Sequence, residues 1–296
     1  MAEAAPVPMR TGRGIALMLL AYFLFSFVDT STKWLLGAGM AVLQLAFLRY
    51  LTHALITLVD VQRLPARRPR LTMRLQVLVV LRAFCLVSAT VANFIALGHL
   101  PLAMTSALLF LAPILVCLFA GILLGERITA GHWGAVALGF FGVVVLVNPF
   151  GEAINWYAVL MLYPATGMAF YAILTRKLAH RVASSVLQLS TGLVGSVLLL
   201  PAGVLAWQMP QTLQTWVLML MLGVFAWAGH EALTRAHSFA TASLLAPFGY
   251  SFVIYLSLAG WVFFNEIPDV HVALGAVIIT AAGMLVWRLG NRAPTA

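Results

Sequence analysis

The chain has 296 residues, of which 63% are apolar and 8% charged, and its mean hydropathy is +1.02. Soluble globular chains average about 45–50% apolar and about 25% charged, and here the apolar residues run almost without interruption, so the solvent must be lipid. The formal charge is +9, but the cations sit in short gaps between apolar runs, which excludes the basic helix or aromatic-interleaved groove of a nucleic-acid binder.

A membrane-crossing helix needs about 20 mostly apolar residues. That ruler predicts ten spans, at 14–36, 40–60, 75–97, 102–124, 133–149, 156–176, 186–207, 215–236, 242–264 and 271–288. The first begins like a signal peptide, with Arg10 and Arg13 ahead of an apolar run, but it is too long and no small-residue cleavage site follows, so it is expected to remain. The fifth is short. Of the 17 cations, 14 fall in the loops on one side if the N-terminus is cytoplasmic, among them Arg63, Arg67, Arg68, Arg70 and Arg74. The positive-inside rule then places both termini in the cytoplasm. Trp34, Trp133, Trp156, Trp207, Trp216, Trp261 and Trp287 lie at predicted span ends, where amphipathic rings favour the headgroup level. Trp227 alone lies mid-span. Cys85 and Cys117 sit inside apolar runs and read as small buried hydrophobes.

The two halves resemble each other, which predicts repeats at 1–148 and 149–296. LLGERI around Glu126 and FFNEIP around Glu266 lie 140 residues apart, and Gly134 and Gly142 match Gly275 and Gly283 at a spacing of 141. Five spans per half is an odd number, so the second half enters the membrane from the opposite side. Inverted repeats of this kind mark transporters, with the substrate site between the halves near the midplane. Pro113 in span 4, Pro247 in span 9 and Pro164 in span 6 predict kinks, since proline removes a backbone hydrogen bond and clashes with the preceding turn. Spans 4 and 9 are repeat partners, which favours their facing a cavity; plain kinks without function are the alternative.

Charges inside spans are costly and face protein or water. At a rise of about 1.5 Å per residue, Asp29 lies roughly 22 Å from the inner end of span 1 and Arg49 roughly 13 Å from the outer end of span 2, at similar depth. An Asp29–Arg49 or Asp29–Lys33 pair is expected, either touching substrate or serving only as a hairpin lock. Arg82 in span 3 and Glu231 in span 8 fall at nearly equal depth in repeat partners, so they either meet across the cavity as a gate or substrate clamp, or each pairs locally, Glu231 with Arg235 at i+4. Span 8 carries the densest polar stripe, Trp227, His230, Glu231 and Thr234. An indole beside an imidazole and a carboxylate suits an amphipathic substrate, while a buried, satisfied histidine is the plainer account. Asn93, Phe110 and Tyr250 are expected as further lining, with Tyr163 and Tyr171 in span 6.

Enzyme motifs fail. His230-Glu231-Ala232-Leu233-Thr234 begins like a zinc-protease helix but places threonine where the second ligand must stand. No GxSxG, P-loop or GxGxxG occurs, and neither a metal nor a cofactor is expected.

The segments FVDTSTKWL, FLRYL, VLRAF, LPLAMTSALLFLAPILV, LLGERI, LTRAHSFATASLLAPFGYS and FNEIP, in that order, resemble EamA-type carriers of the drug/metabolite transporter superfamily over nearly the whole chain. The resemblance implies an all-α polytopic protein of ten helices, as two inverted five-helix repeats with spans 1, 3, 4, 6, 8 and 9 around a central cavity. It implies spans 5 and 10 at the periphery, where a homodimer could form. Asp29, Lys33, Arg49, Arg82, Glu126, Arg235 and Glu266 match residues common in this branch, whereas His230-Glu231 departs from the apolar or amide residues expected there and so is a specificity candidate. The implied function is a bacterial inner-membrane exporter of amino acids or similar small metabolites, similar to the amino-acid exporters of YddG type, by alternating access. Uptake of a metabolite such as S-adenosylmethionine is the alternative within transport, and a non-transporting scaffold or membrane enzyme the alternative outside it. Coupling to protons through Asp29, His230 or Glu231 remains open beside uncoupled facilitation.

Overall fold

A computed structural model describes residues 11–62, 71–124, 130–147, 155–178, 181–239, 248–249 and 251–292. Among the described residues there are twelve helical segments and no strand. They are α1 (Thr11–Gly37), α2 (Val42–Gln62), α3 (Met73–Leu97), α4 (Leu102–Leu109), α5 (Leu111–Leu124), α6 (Ala130–Val147), α7 (Trp156–Leu160), α8 (Leu162–Leu178), α9 (Ser184–Leu205), α10 (Leu213–Phe239), α11 (Ser251–Phe264) and α12 (Val270–Arg292). The pairs α4–α5 and α7–α8 each make one interrupted span, so the protein is an all-helical bundle of ten spans. Six stretches, on α1, α2, α3, α7–α8, α9 and α10, are long and apolar enough to cross a membrane on length and composition alone.

The interruptions have a local cause. α4 ends at Leu109, four residues before Pro113, and α7 ends at Leu160, four residues before Pro164. A proline ring clashes with the carbonyl four residues back and offers it no amide hydrogen. The chain therefore turns at Phe110 and Met161, whose amides bond back to Ser106 and Ala107 and to Tyr157 and Ala158. Pro247 and Tyr250 lie outside the described residues.

Helix pairing is reciprocal. α1 packs along α10 and α3 along α8, while α2 packs on α9 and α6 on α12. That pattern is unchanged when each span is exchanged with the span five later. Lipid gives helices no hydrophobic drive to associate, so contact depends on close fit, and small residues supply it. A Cβ on Gly192 of α9 would lie 2.8 Å from the Ala54 Cα on α2, and one on Gly142 of α6 would lie 3.0 Å from the Ile279 amide nitrogen on α12. Any side chain at either glycine forces those backbones apart. The lateral surface is apolar, with Val197, Phe263, Val277 and Leu213 exposed, as expected where acyl chains rather than water cover it.

Candidate functional site

The bundle encloses a cavity of about 470 Å³. Its walls come from α1, α3, α4, α5, α8, α10 and α11, and from Arg49 of α2. Tyr22, Phe25 and Asp29 present one face of α1, at helical spacings of three and four. Phe94, Phe110 and Phe252 supply further aromatic surface, and Pro164 stands on the wall just beyond the α7–α8 break. The wall is thus mostly aromatic and aliphatic, with a few polar groups.

Those polar groups are deeply placed. Asp29, Arg49 and Asn93 are 7%, 7% and 8% exposed. Asn93 Nδ2 donates to Asp29 Oδ1 at 3.2 Å and Oδ2 at 3.4 Å, and its own Oδ1 has no partner. Arg49 donates from NH1 to Thr90 Oγ1 at 3.2 Å and lies over the Tyr50 ring at 4.7 Å, while its Nε has no partner. Asp29 and Arg49 make no ion pair with each other. Arg49 and Asn93, both on the cavity wall, therefore keep hydrogen-bonding capacity that is not used up within the protein.

Lys33, one turn beyond Asp29, belongs to a different site at the end of the bundle where α1 finishes. Here the expectation of an Asp29–Lys33 pair is corrected: Lys33 pairs with Glu266 and also donates to the Leu100 carbonyl at 2.5 Å. Glu266 is positioned by the end of α11. Asn265 takes the left-handed conformation (φ 53°), with asparagine in the place usually held by glycine at a helix end, and the Glu266 amide bonds back to the Gly260 carbonyl at 2.9 Å. Glu266 Oε2 then accepts from the Leu102 amide at 2.9 Å, capping α4, whose own N-cap, Pro101, has no side chain to do so. The flexible stem of Lys33 reaches this end of the membrane more readily than it turns back into the cavity.

Arg82 and Glu231 do not meet. Arg82 is 5% exposed and donates to Thr175 Oγ1 (2.6 Å), Thr191 Oγ1 (3.0 Å), the Leu187 carbonyl (3.3 Å) and the Tyr171 hydroxyl (2.6 Å). Glu231 instead receives Arg235 at 2.7 Å, one turn along the same helix. Consecutive helical residues point about 100° apart, and on α10 His230 faces the cavity while Glu231 turns to the flank. The inward face of α10 is Ala226, His230 and Leu233, of which the last two line the cavity. Trp227 and Glu231 lie on the flank and are not on its wall. His230 packs among rings, with centroids 5.0 Å from Phe25, 5.9 Å from His53 and 6.5 Å from Tyr171.

Among the expected lining residues, then, the structure brings together His230, Asn93, Phe110 and Tyr171, and adds Asp29 and Arg49. Tyr163 is 49% exposed on the outside of α8. Tyr22, Phe25, Thr90 and Phe252 were not anticipated. The spacing of Tyr22, Phe25 and Asp29 along one helical face was the available signal for the first two.

A mid-bundle cavity with aromatic walls and isolated charges, enclosed by ten lipid-facing spans, defines a membrane carrier for small molecules. The comparisons with known proteins give the family. The EamA-like transporter family model matches residues 12–148 and again 155–288, and the chain belongs to that family; it is a multi-pass membrane transporter. It is 30% identical over 289 residues to a riboflavin transporter of Rhizobium johnstonii, covering 95% of this chain and 93% of that one. It is 28% identical over 276 residues to a pseudopaline exporter of Pseudomonas aeruginosa (93% and 96% covered) and 24% identical over 278 residues to an S-adenosylmethionine uptake transporter of Rickettsia prowazekii (92% of each). A solved crystal structure shares the fold, with a TM-score of 0.64 at 20% identity over 95% of this chain and 97% of that one.

Proposed function

We propose that this protein is a bacterial inner-membrane carrier that exports amino acids or closely related zwitterionic metabolites by alternating access. One observation carries the reading: Asp29 and Arg49 stand on the same apolar-walled cavity without pairing to each other. Ligand sites of this kind use a few placed polar groups for orientation and apolar area for affinity. The Asp29 carboxylate and the free Asn93 Oδ1 are acceptors for an ammonium group. The Arg49 guanidinium, with its unpartnered Nε, is a donor for a carboxylate. Phe25, Phe94, Phe110 and Phe252 offer the remaining surface to a hydrophobic side chain.

The reciprocal helix pairing supports two repeats, 1–148 and 149–296, rocking about this cavity. In the state described here the end of the bundle at the α1–α2 turn is held by Lys33 and Glu266, which join the first half to the second. The charge distribution in the loops supports cytoplasmic termini, which makes that end the periplasmic one.

Counterflow into proteoliposomes preloaded with unlabelled candidates tests the reading, with labelled phenylalanine, threonine and methionine as tracers and labelled S-adenosylmethionine in parallel. Accumulation of the amino acids above empty liposomes is the expected result. Signal with S-adenosylmethionine alone would replace the reading by uptake of that kind of molecule, as in the Rickettsia relative. Silence from folded protein across the panel would overturn it.

A further inference from the structure

A narrow cleft opens off the cavity behind His230. It shares Arg49, Leu86, Tyr171 and His230 with the cavity wall and adds His53, Arg82 and Gln188. Among the described residues every charged side chain on it is a cation. Arg82 has four hydrogen bonds, all to neutral oxygens, and no carboxylate. With Asp29 ionised, the two buried arginines leave this region one positive charge in excess. In a bilayer interior such a charge is expensive unless something compensates it, and a simple zwitterion, which brings one charge of each sign, leaves the excess unchanged.

Tyr171 links Arg82 to the edge of the cavity, since it lines both the cleft and the cavity. The Tyr171 hydroxyl accepts from Arg82 at 2.6 Å, and the guanidinium also lies over the same ring at 4.3 Å. Having accepted there, the phenol, polarised by the cation behind it, can turn its own hydrogen either to neighbouring Thr175 or to an anion in the cavity that it lines. Arg49, whose donors serve the amino-acid head, bounds the same stretch of wall and adds a second positive charge beside Tyr171.

We propose that the end of the cavity bounded by Tyr171, Arg49 and His230 is an anion subsite. It takes a carboxylate carried by the transported molecule in addition to its amino-acid head, so that the preferred cargo is an amphipathic amino acid of net negative charge. This rests on the amino-acid reading above and specifies its substrate class. Tyr171 donates directly to the anion, and Arg82 is a positioning residue that acts through Tyr171.

The test compares two molecules of one shape, 4-carboxyphenylalanine and 4-carbamoylphenylalanine, as competitors of labelled phenylalanine counterflow in liposomes holding the wild-type protein. The carboxylate is expected to inhibit at a concentration about tenfold lower, the scale of one charge-assisted hydrogen bond. In Tyr171→Phe, shown by size exclusion to be folded, the ratio is expected to fall to about twofold, because the Arg82-backed donor is gone. Phenylalanine flux with equal inhibition by the two compounds, or a preference for the carbamoyl form, would overturn the subsite and leave the amino-acid reading standing. Absence of phenylalanine flux from folded protein, together with no counterflow of either compound used as a labelled tracer, would overturn both.

Discussion

The two charged sites of the bundle are built oppositely. At the closed end, Lys33 and Glu266 satisfy each other and also two backbone groups, the Leu100 carbonyl and the Leu102 amide. Inside the cavity, Asp29 and Arg49 stay apart, and Arg49 Nε and Asn93 Oδ1 have no protein partner. A buried polar group left unpaired costs free energy unless something else pairs it, so the first site holds a conformation and the second is suited to a ligand. The Lys33–Glu266 site must come apart if the cavity is to open at that end, which makes it a latch rather than a permanent tie.

The largest effect falls on Arg49. Arg49→Gln is expected to lower transport by about tenfold to a hundredfold, since a hydrogen bond to a charged group is worth about 1.5–3 kcal/mol. Most of the loss should fall on substrate affinity, which counterflow at graded concentrations reads. Asp29→Asn should weaken binding of substrates that carry a free amine by about tenfold on the same scale and spare N-acetylated analogues, a difference read by competition. At the latch, Glu266→Ala removes both the ion pair and the cap on α4, so a loss of about 1–2 kcal/mol is expected in detergent denaturation. Glu266→Gln keeps an oxygen for the Leu102 amide and should lose only part of that. If the two Glu266 variants are equally unstable, the cap contributes nothing. The smallest effect is expected at Trp227→Ala and Glu231→Gln, off the cavity wall, where half-inhibitory concentrations should stay within about twofold, and Glu231→Gln should cost no more than the roughly 0.2–0.5 kcal/mol of an i,i+4 pair. A large transport defect in either would return α10's flank to the binding surface.

The outer design of this protein is legible residue by residue. Continuous apolar stretches of span length and the kinks at Pro113 and Pro164, four residues after the helix breaks, follow from local composition and spacing. The site was legible only in part. His230, Asn93, Phe110 and Tyr171 could be picked out as polar or aromatic groups at mid-span, and Asp29 and Arg49 as charges that lipid does not tolerate unaided. Their partners could not. Equal depth suggested Arg82 with Glu231 and Asp29 with Arg49, and a spacing of one turn suggested Asp29 with Lys33, but depth is one coordinate of three, and rotation about each helix axis decides which side chains meet. A turn of about 100° between His230 and Glu231 sends one into the cavity and the other along the helix to Arg235.

By itself, then, the sequence determined the solvent and the number of crossings, because hydropathy and span length act locally along the chain; proline alone did not decide the breaks, since Pro201 sits inside the unbroken α9. Tertiary structure alone decided that Glu266 latches Lys33 while capping α4, that Arg82 rests on neutral oxygens behind Tyr171, and that Asp29 and Arg49 face one cavity unpaired. Those outcomes depend on how helices from the two halves are rotated against each other, and that rotation is set by close packing at many small contacts rather than by any single run of residues.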